Sequence, residues 1–280
     1  MTTPNPATVY LSRWSAKSDT RKTMHAALNR VADALLGGFN AESYPWHTLR
    51  FDTARAIPAL LEEDDLEPAT INKLLSAVRG VLETAHSLKL ISDDDYSQIE
   101  IKNVRGSSEG SGRALSDTEV DALLAKLPKL GKRDAAAVAI MIGAGARRVE
   151  VVKIKREDYV RELGSPTARI SLYGKGRKPR RVPVGGRWQP FIEAYWAMLE
   201  PRQLAFPGSR RVISLVVERL AAALGAKFTP HDLRRTFGTH ICEVADVAVA
   251  QRLLGHSDVK TTLLYDRRGE GAEDDAVKDW

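Results

Sequence analysis

The sequence predicts a mainly α-helical protein with a small antiparallel β-sheet confined to the second of two domains. Three observations carry this. Apolar residues recur at helical spacing in the front part, most clearly in INKLLSAVRGVLETAHSLKL, where Ile71, Leu74, Leu75, Val78, Leu82 and Ala85 share one face. The stretch NVRGSSEGSGRALS, residues 103–116, holds three glycines and four serines without apolar periodicity and reads as a linker. Beyond it, YVREL, ARISLYG and RRVPVGG have the short β-branched pattern of strands, the last two joined by the turn GKGRKPR.

The elements follow in order. TRKTMHAALNRVADALLGG is amphipathic and ends on glycines, DTARAIPALLEED is a weaker helix, and SDDDYSQIEI starts a short one with Ser92 as its N-cap. With the 71–85 helix they make a bundle of about four helices over residues 1–102. After a linker at 103–113, Ser116 and Glu119 form a capping box for VDALLAKL. RDAAAVAIMIGAG is an apolar, buried helix, and RRVEVVKIKRED a short helix with a basic exit. WQPFIEAYWAMLE and SLVVERLAAALGA are further helices. Thr229, Pro230 and Asp232 open another, with cap, first-turn proline and reciprocal acid in place. Gly255 reads as a C-cap and Ser257 as the N-cap of a last helix.

The chain has 280 residues, enough for two cores, and one cysteine, Cys242, so neither an intrachain disulfide nor a cysteine metal cluster can form. No apolar run approaches the ~20 residues of a membrane span, and MTTPNPATVYLSRWS lacks the apolar region of a signal peptide. A cytoplasmic protein is expected. The net charge is +6 and uneven: residues 1–105 hold 12 Lys and Arg against 14 Asp and Glu, and the rest hold 30 against 22. The cationic excess lies in the second domain and fits a polyanion, nucleic acid first.

Four stretches carry candidate chemistry. In FTPHDLRRTFGTH, His231 sits at a helix mouth with Arg234 one turn along, a ready phosphate site. In GAGARRVEVV, Arg147 and Glu150 are three apart, and Gly143 and Gly145 allow a sharp turn before them. The turn Gly174-Lys175-Gly176-Arg177-Lys178 projects Lys175 from a hairpin tip. In LLGHSDVKTTLLYDRR, His256 lies in a helix junction and Tyr265 follows nine positions later. Taken singly, each stretch also fits an ordinary structural role.

Their order is more telling. Arg147, Lys175, His231, Arg234, His256 and Tyr265 together resemble the signature of the tyrosine recombinases, the phage integrase family, over roughly residues 114–268. Gly145-Ala146-Arg147-Arg148-Val149-Glu150 matches its first arginine motif. Gly174-Lys175-Gly176 before Arg181-Val182-Pro183 matches its lysine hairpin. His231 to Thr236 matches its His-x-Leu-Arg motif, and Leu254-Gly255-His256 with Tyr265 matches its last. Arg148 stands where an apolar residue is common, and the steps to Gly145 and Glu150 select Arg147. The three-residue step from His231 likewise selects Arg234 over Arg235.

The resemblance implies a site-specific DNA recombinase. Arg147 and Arg234 would bind the scissile phosphate, and Tyr265 would attack it to form a 3′-phosphotyrosyl bond. Lys175 would protonate the leaving 5′-oxygen, His231 would move the tyrosine proton, and His256 would hydrogen-bond the phosphate. Glu150 would support the site, and Lys178, Arg180 and Arg235 would contact DNA. No metal and no cofactor is expected. The front domain would clamp the opposite face of the duplex, in a two-domain member without an arm-binding domain. The tail after 268, with Val277 and Trp280, would dock on a neighbouring protomer in a homotetramer on two duplexes, recombining them through a Holliday junction. Off DNA the chain would be a monomer or weak oligomer, and an accessory directionality factor could steer it. A phage or mobile-element integrase is the expected role, an Xer-like or transposon resolvase the alternative. Two rivals are a type IB topoisomerase, which the front domain disfavours, and a cleavage-deficient DNA-binding regulator, which the intact six positions disfavour.

Overall fold

The computed structural model describes residues 4–64, 66–105, 112–161, 164–174, 179–256 and 258–266. The chain divides into two compact units, Met1–Glu109 and Gly110–Trp280. Among the described residues no helix is long and apolar enough to cross a membrane.

The described part of the first unit is helical: α1 (Pro6–Ser12), α2 (Asp19–Leu35), α3 (Phe51–Glu62), α4 (Pro68–Ser87) and α5 (Asp93–Gln98). The expected face of α4 is its core face. Ile71, Leu75, Val78 and Leu82 are buried there with Leu28 and Val31 of α2 and Ile57 and Leu61 of α3. Ser92 caps α5 through the Asp95 N–H at 3.0 Å. Helix α1 was absent from the sequence expectation. Asn5 caps it through the N–H groups of Ala7 and Thr8, and Tyr10 and Leu11 are buried. Seven residues are too few for apolar periodicity to register, so the Asn5-Pro6 cap was the only local signal.

The second unit is built round α7 (Lys132–Gly143), in which every residue from Ala135 to Gly143 is buried. Before it comes α6 (Asp117–Lys126), with the expected Ser116–Glu119 capping box. After it come α8 (Arg148–Val151), β1 (Tyr159–Val160), β2 (Arg169–Leu172), β3 (Arg180–Pro183), α9 (Gln189–Trp196), α10 (Arg210–Ala223), α11 (Pro230–Val244), α12 (Val247–Leu254) and α13 (Val259–Leu263). Helices α9, α10 and α11 pack on α7. The strands form an antiparallel sheet in the order β1-β2-β3, with Ile170 opposite Tyr159 and Val182. Ile170, Leu172 and Val182 point to the core.

Two expectations change. The helix expected over RRVEVVKIKRED lasts only four residues. Its backbone leaves to pair with a later segment: Ala205 N–H donates to Ile154 O and Arg156 N–H to Gln203 O, both at 2.8 Å. Its β-branched run offers little helix propensity to resist this. The linker is also tied down at both ends. Asn72 exchanges two hydrogen bonds with the Val104 backbone, at 2.8 and 3.0 Å. The Arg113 N–H donates to Asp232 Oδ1 at 2.9 Å, and the Leu115 N–H to Thr236 Oγ1 at 2.9 Å. Residues 106–111 lie outside the described residues.

Candidate active site

Helix α11 sets the first two groups. The Thr229 N–H donates to Asp232 Oδ2 at 2.8 Å, and Thr229 Oγ1 accepts the Asp232 N–H, closing the expected capping box. His231 is exposed in this first turn, whereas Arg234, one turn on, is only 1 % exposed. Burying a guanidinium requires acceptors that satisfy it. Arg234 Nη1 donates to Gly145 O, and Nη2 to Leu254 O at 2.6 Å and to His256 Nε2 at 3.0 Å. Gly145 can present its carbonyl there because φ is +61°, and a Cβ at that position would lie 2.4 Å from the Phe237 ring.

The second group is an ion network. Glu150 is fully buried, and its Oε2 accepts the Arg147 N–H at 2.8 Å, capping α8. Oε1 takes Arg147 Nη1 at 3.1 Å. Arg180 adds Nη1 to Oε1 at 2.7 Å and Nη2 to Oε2 at 2.8 Å, and its Nε donates to Leu253 O. Burial alone would raise the Glu150 pKa. The hydrogen bonds and charge of Arg180, then the Arg147 N–H and charge, outweigh it and hold the group at about 2.

The third group is the end of the chain's last described helix. Gly255 adopts the left-handed conformation expected of a C-cap, with φ +65°. His256 Nδ1 lies 2.9 Å from Thr262 Oγ1. Tyr265 is buried, two residues past α13 rather than within it, and its ring lies 5.6 Å from the His256 ring. The Arg235 guanidinium stands 5.5 Å from the Tyr265 ring centroid. Position 238 in α11 must stay small, since a Cβ there would come within 3.1 Å of both Leu254 and the Tyr265 ring.

Arg147, Arg148, Arg210, His231 and Arg234, with Thr229 and Pro230, line a cavity of about 360 Å³. Four arginines on one cavity describe an oxyanion site. Burial and the same charge disfavour the charged form of both histidines. Loss of water, then the charges of Arg234 and Arg235, lower the His231 pKa. Burial, then Arg234 and Arg147, lower that of His256 to about 4. The arrangement can bind a phosphate group between arginines, with two imidazoles and a buried phenol beside it.

The phage integrase family model matches residues 113–270. The chain belongs to the phage integrase family. It is a tyrosine recombinase, an enzyme of site-specific DNA recombination. It is 30% identical to tyrosine recombinase XerD of Lacticaseibacillus casei over 223 residues, covering 73% of this chain and 74% of that one. It is 30% identical to XerD of Vibrio cholerae over 272 residues, covering 90% and 87%. Its fold resembles the Tn1549 transposon integrase solved in complex with transposon right end DNA, at TM-score 0.74 and 16% identity over 99% and 100% of the two chains.

In this recombinase the structure brings Arg147, Glu150, His231, Arg234, His256 and Tyr265 together from separate segments. Lys175 and Lys178 lie outside the described residues. Arg180, expected on DNA, is instead turned inward, because the buried Glu150 needs a second cation. Arg235, also expected on DNA, donates Nη1 to Gly112 O at 2.6 Å beneath its contact with Tyr265. Arg148 and Arg210 line the cavity as well, and the sequence reading gave neither of them a place in the site. Arg148 also donates to Ser214 at 2.6 Å. The basic start of α10, SRR, was the only local sign of Arg210.

Proposed function

We propose that the protein cuts and rejoins DNA sites through a covalent 3′-phosphotyrosyl intermediate at Tyr265. The reading rests on one observation: Arg147, Arg234, His256 and Tyr265, from three separate stretches, converge beside an arginine-lined cavity open to His231. Arg147 and Arg234 bind the non-bridging oxygens and offset the charge that grows at phosphorus. The Tyr265 oxygen attacks phosphorus, its proton passes to His231, and the bond to the 5′-oxygen breaks as Lys175 Nζ supplies a proton. A hydroxyl of the partner strand reverses these steps, and two rounds pass through a Holliday junction. Glu150 holds Arg147 in place. Lys178 contacts the backbone.

Residues 1–102 form the domain that clamps the far face of the duplex. The active assembly is a homotetramer on two duplexes, with the segment after 268 docked on the next protomer through Trp280. It acts on nucleoid DNA in the cytoplasm, as a mobile-element integrase steered by an accessory factor. A second reading, an Xer-like resolvase, is favoured by the XerD relatives.

The test is a suicide substrate. Genomic fragments retained by the protein define its site, and nicked duplexes of that site are incubated with wild type and Tyr265→Phe. A protein–DNA adduct on a denaturing gel, absent from the variant, is expected. An adduct that persists in Tyr265→Phe overturns the nucleophile, and no adduct on the retained site favours a binding-only protein. Site pairs on one plasmid or on two then separate resolution from integration.

A further inference from the structure

Arg235 follows Arg234 on α11 and makes a different set of contacts. Its guanidinium stands 5.5 Å from the Tyr265 ring centroid, inside the ~6 Å over which the face of an aromatic ring attracts a cation. Nη1 donates to Gly112 O at 2.6 Å, at the end of the linker. That end is fixed on the same helix, the Arg113 N–H on Asp232 Oδ1 and the Leu115 N–H on Thr236 Oγ1, both at 2.9 Å. Gly112 has φ +104°, and a Cβ there would collide with Asp232 Oδ1, whose side chain is locked in the Thr229 capping box. The carbonyl that anchors Arg235 is therefore aimed by a backbone that glycine adopts there without strain and other residues do not. Tyr265 lies two residues past the end of α13, so packing rather than a helix sets its ring. The ring is buried, with the His256 ring 5.6 Å away and Gly238 of α11 beside it. Arg235 adds a cation to this seat.

We propose that Arg235 is a positioning residue for Tyr265: its guanidinium braces the Tyr265 ring, and Gly112, at the linker's end, holds the guanidinium there. The inference rests on the proposed nucleophilic role of Tyr265. It replaces the DNA contact expected of Arg235 with a part inside the protein. A reacting atom displaced by about 1 Å can lose roughly a hundredfold in rate, so a phenol outside any helix depends on the groups around its ring. Removing the charge at position 235 takes away the attraction between the ring face and its wall. Removing the Gly112 anchor keeps the charge and loses its place. Both changes act on one seat by one route.

Arg235→Gln keeps a donor for Gly112 O and removes the charge, Arg235→Lys keeps the charge, and Gly112→Ala removes the anchor without altering α11. Full-length protein labelled with 3-fluorotyrosine is examined by ¹⁹F NMR, with Tyr265→Phe identifying the signal and a soluble nitroxide reporting access to the ring. The Tyr265 signal is expected to be protected in wild type and Arg235→Lys, and broadened by the nitroxide in Arg235→Gln and Gly112→Ala. A signal as protected in Arg235→Gln as in wild type overturns the brace. On the nicked site at saturating protein, single-turnover adduct formation is expected to slow about tenfold or more in Arg235→Gln and in Gly112→Ala. Site affinity stays unchanged, Arg235→Lys recovers much of the rate, and the double variant Gly112→Ala/Arg235→Gln is no slower than the slower single. Losses that multiply in the double variant overturn the part given to Gly112. Lost affinity with an intact rate at saturation makes Arg235 a DNA contact, and faster adduct formation in Arg235→Gln makes it a restraint; either overturns the positioning role. Wild type with a protected Tyr265 that forms no adduct sinks the recombinase mechanism and the positioning role with it, leaving the brace as packing alone.

Discussion

Arg180 closes a two-pronged ion pair on Glu150, Nη1 to Oε1 at 2.7 Å and Nη2 to Oε2 at 2.8 Å, with the carboxylate wholly buried. Removing Arg180 leaves the buried carboxylate with only the part-exposed Arg147 to offset its charge, a loss of about 3 kcal/mol. Arg180→Ala is therefore expected to destabilise the protein by that order in urea unfolding. Arg180→Lys recovers only part, because an ammonium cannot match both oxygens and Leu253 O at once. A loss in Arg180→Ala below about 1 kcal/mol, the range of an exposed pair, would show that the contact does not anchor Glu150.

The histidines set the pH response. His256 is held at about 4, below its ordinary 6.5, so between those values the unfolded chain binds more protons than the folded one. The stability held in the neutral ring is complete above about 6.5 and lost as pH falls toward 4. Glu150, held at about 2 against 4.5, adds a second loss that starts only below about 4.5. Urea midpoints are expected to fall in two stages along this series. In NMR titrations, the His256 ring is expected to change charge near 4 and the His231 ring below 6.5, with inorganic phosphate in the cavity moving His231 upward. A His256 midpoint near 6.5 would contradict its place against Arg234.

Three of the four motifs can be followed in the structure, and they were legible because each is local. A cap or a turn glycine lies within a few positions of a candidate catalytic side chain in Thr229–Arg234, Gly145–Glu150 and Leu254–His256, so spacing along one helix or turn revealed them. The partners that aim them were not legible. Arg180 reaches Glu150 across 30 positions, Arg148 reaches Ser214 across 66, and Arg113 reaches Asp232 across 119. Those contacts depend on how β3, α10 and the linker's end pack, which no periodicity encodes. Arg180 was read as a DNA contact for that reason, since an arginine's charge is visible in sequence and its direction is not.

Gly238 tests whether the seat of Tyr265, the proposed nucleophile, is tight. Glycine inside a helix costs about 1 kcal/mol relative to alanine, so Gly238→Ala gains helix stability. The added Cβ would meet Leu254 and the Tyr265 ring at 3.1 Å, and both must give way. The expected result is a thermal midpoint within a few degrees of wild type and adduct formation at least tenfold slower. Unchanged cleavage would mean that the ring has slack.

Asp232 ties the end of the linker to the helix that carries His231 and Arg234. Its Oδ2 accepts from the Thr229 N–H and hydroxyl, and its Oδ1 from the Arg113 N–H. Asp232→Ala removes the reciprocal half of the Thr229 capping box and also frees the Arg113 amide. Hydrogen exchange resolves these two effects. In wild type the amides of Arg113 and Leu115 are expected to exchange slowly, as hydrogen-bonded groups. Asp232→Ala should release Arg113, and Thr236→Val should release Leu115 while sparing Arg113. Fast exchange of both amides in wild type would mean that the linker end is not seated on α11. Release of both amides by Thr236→Val would mean that the two contacts open together, so that the linker end leaves the helix as one piece.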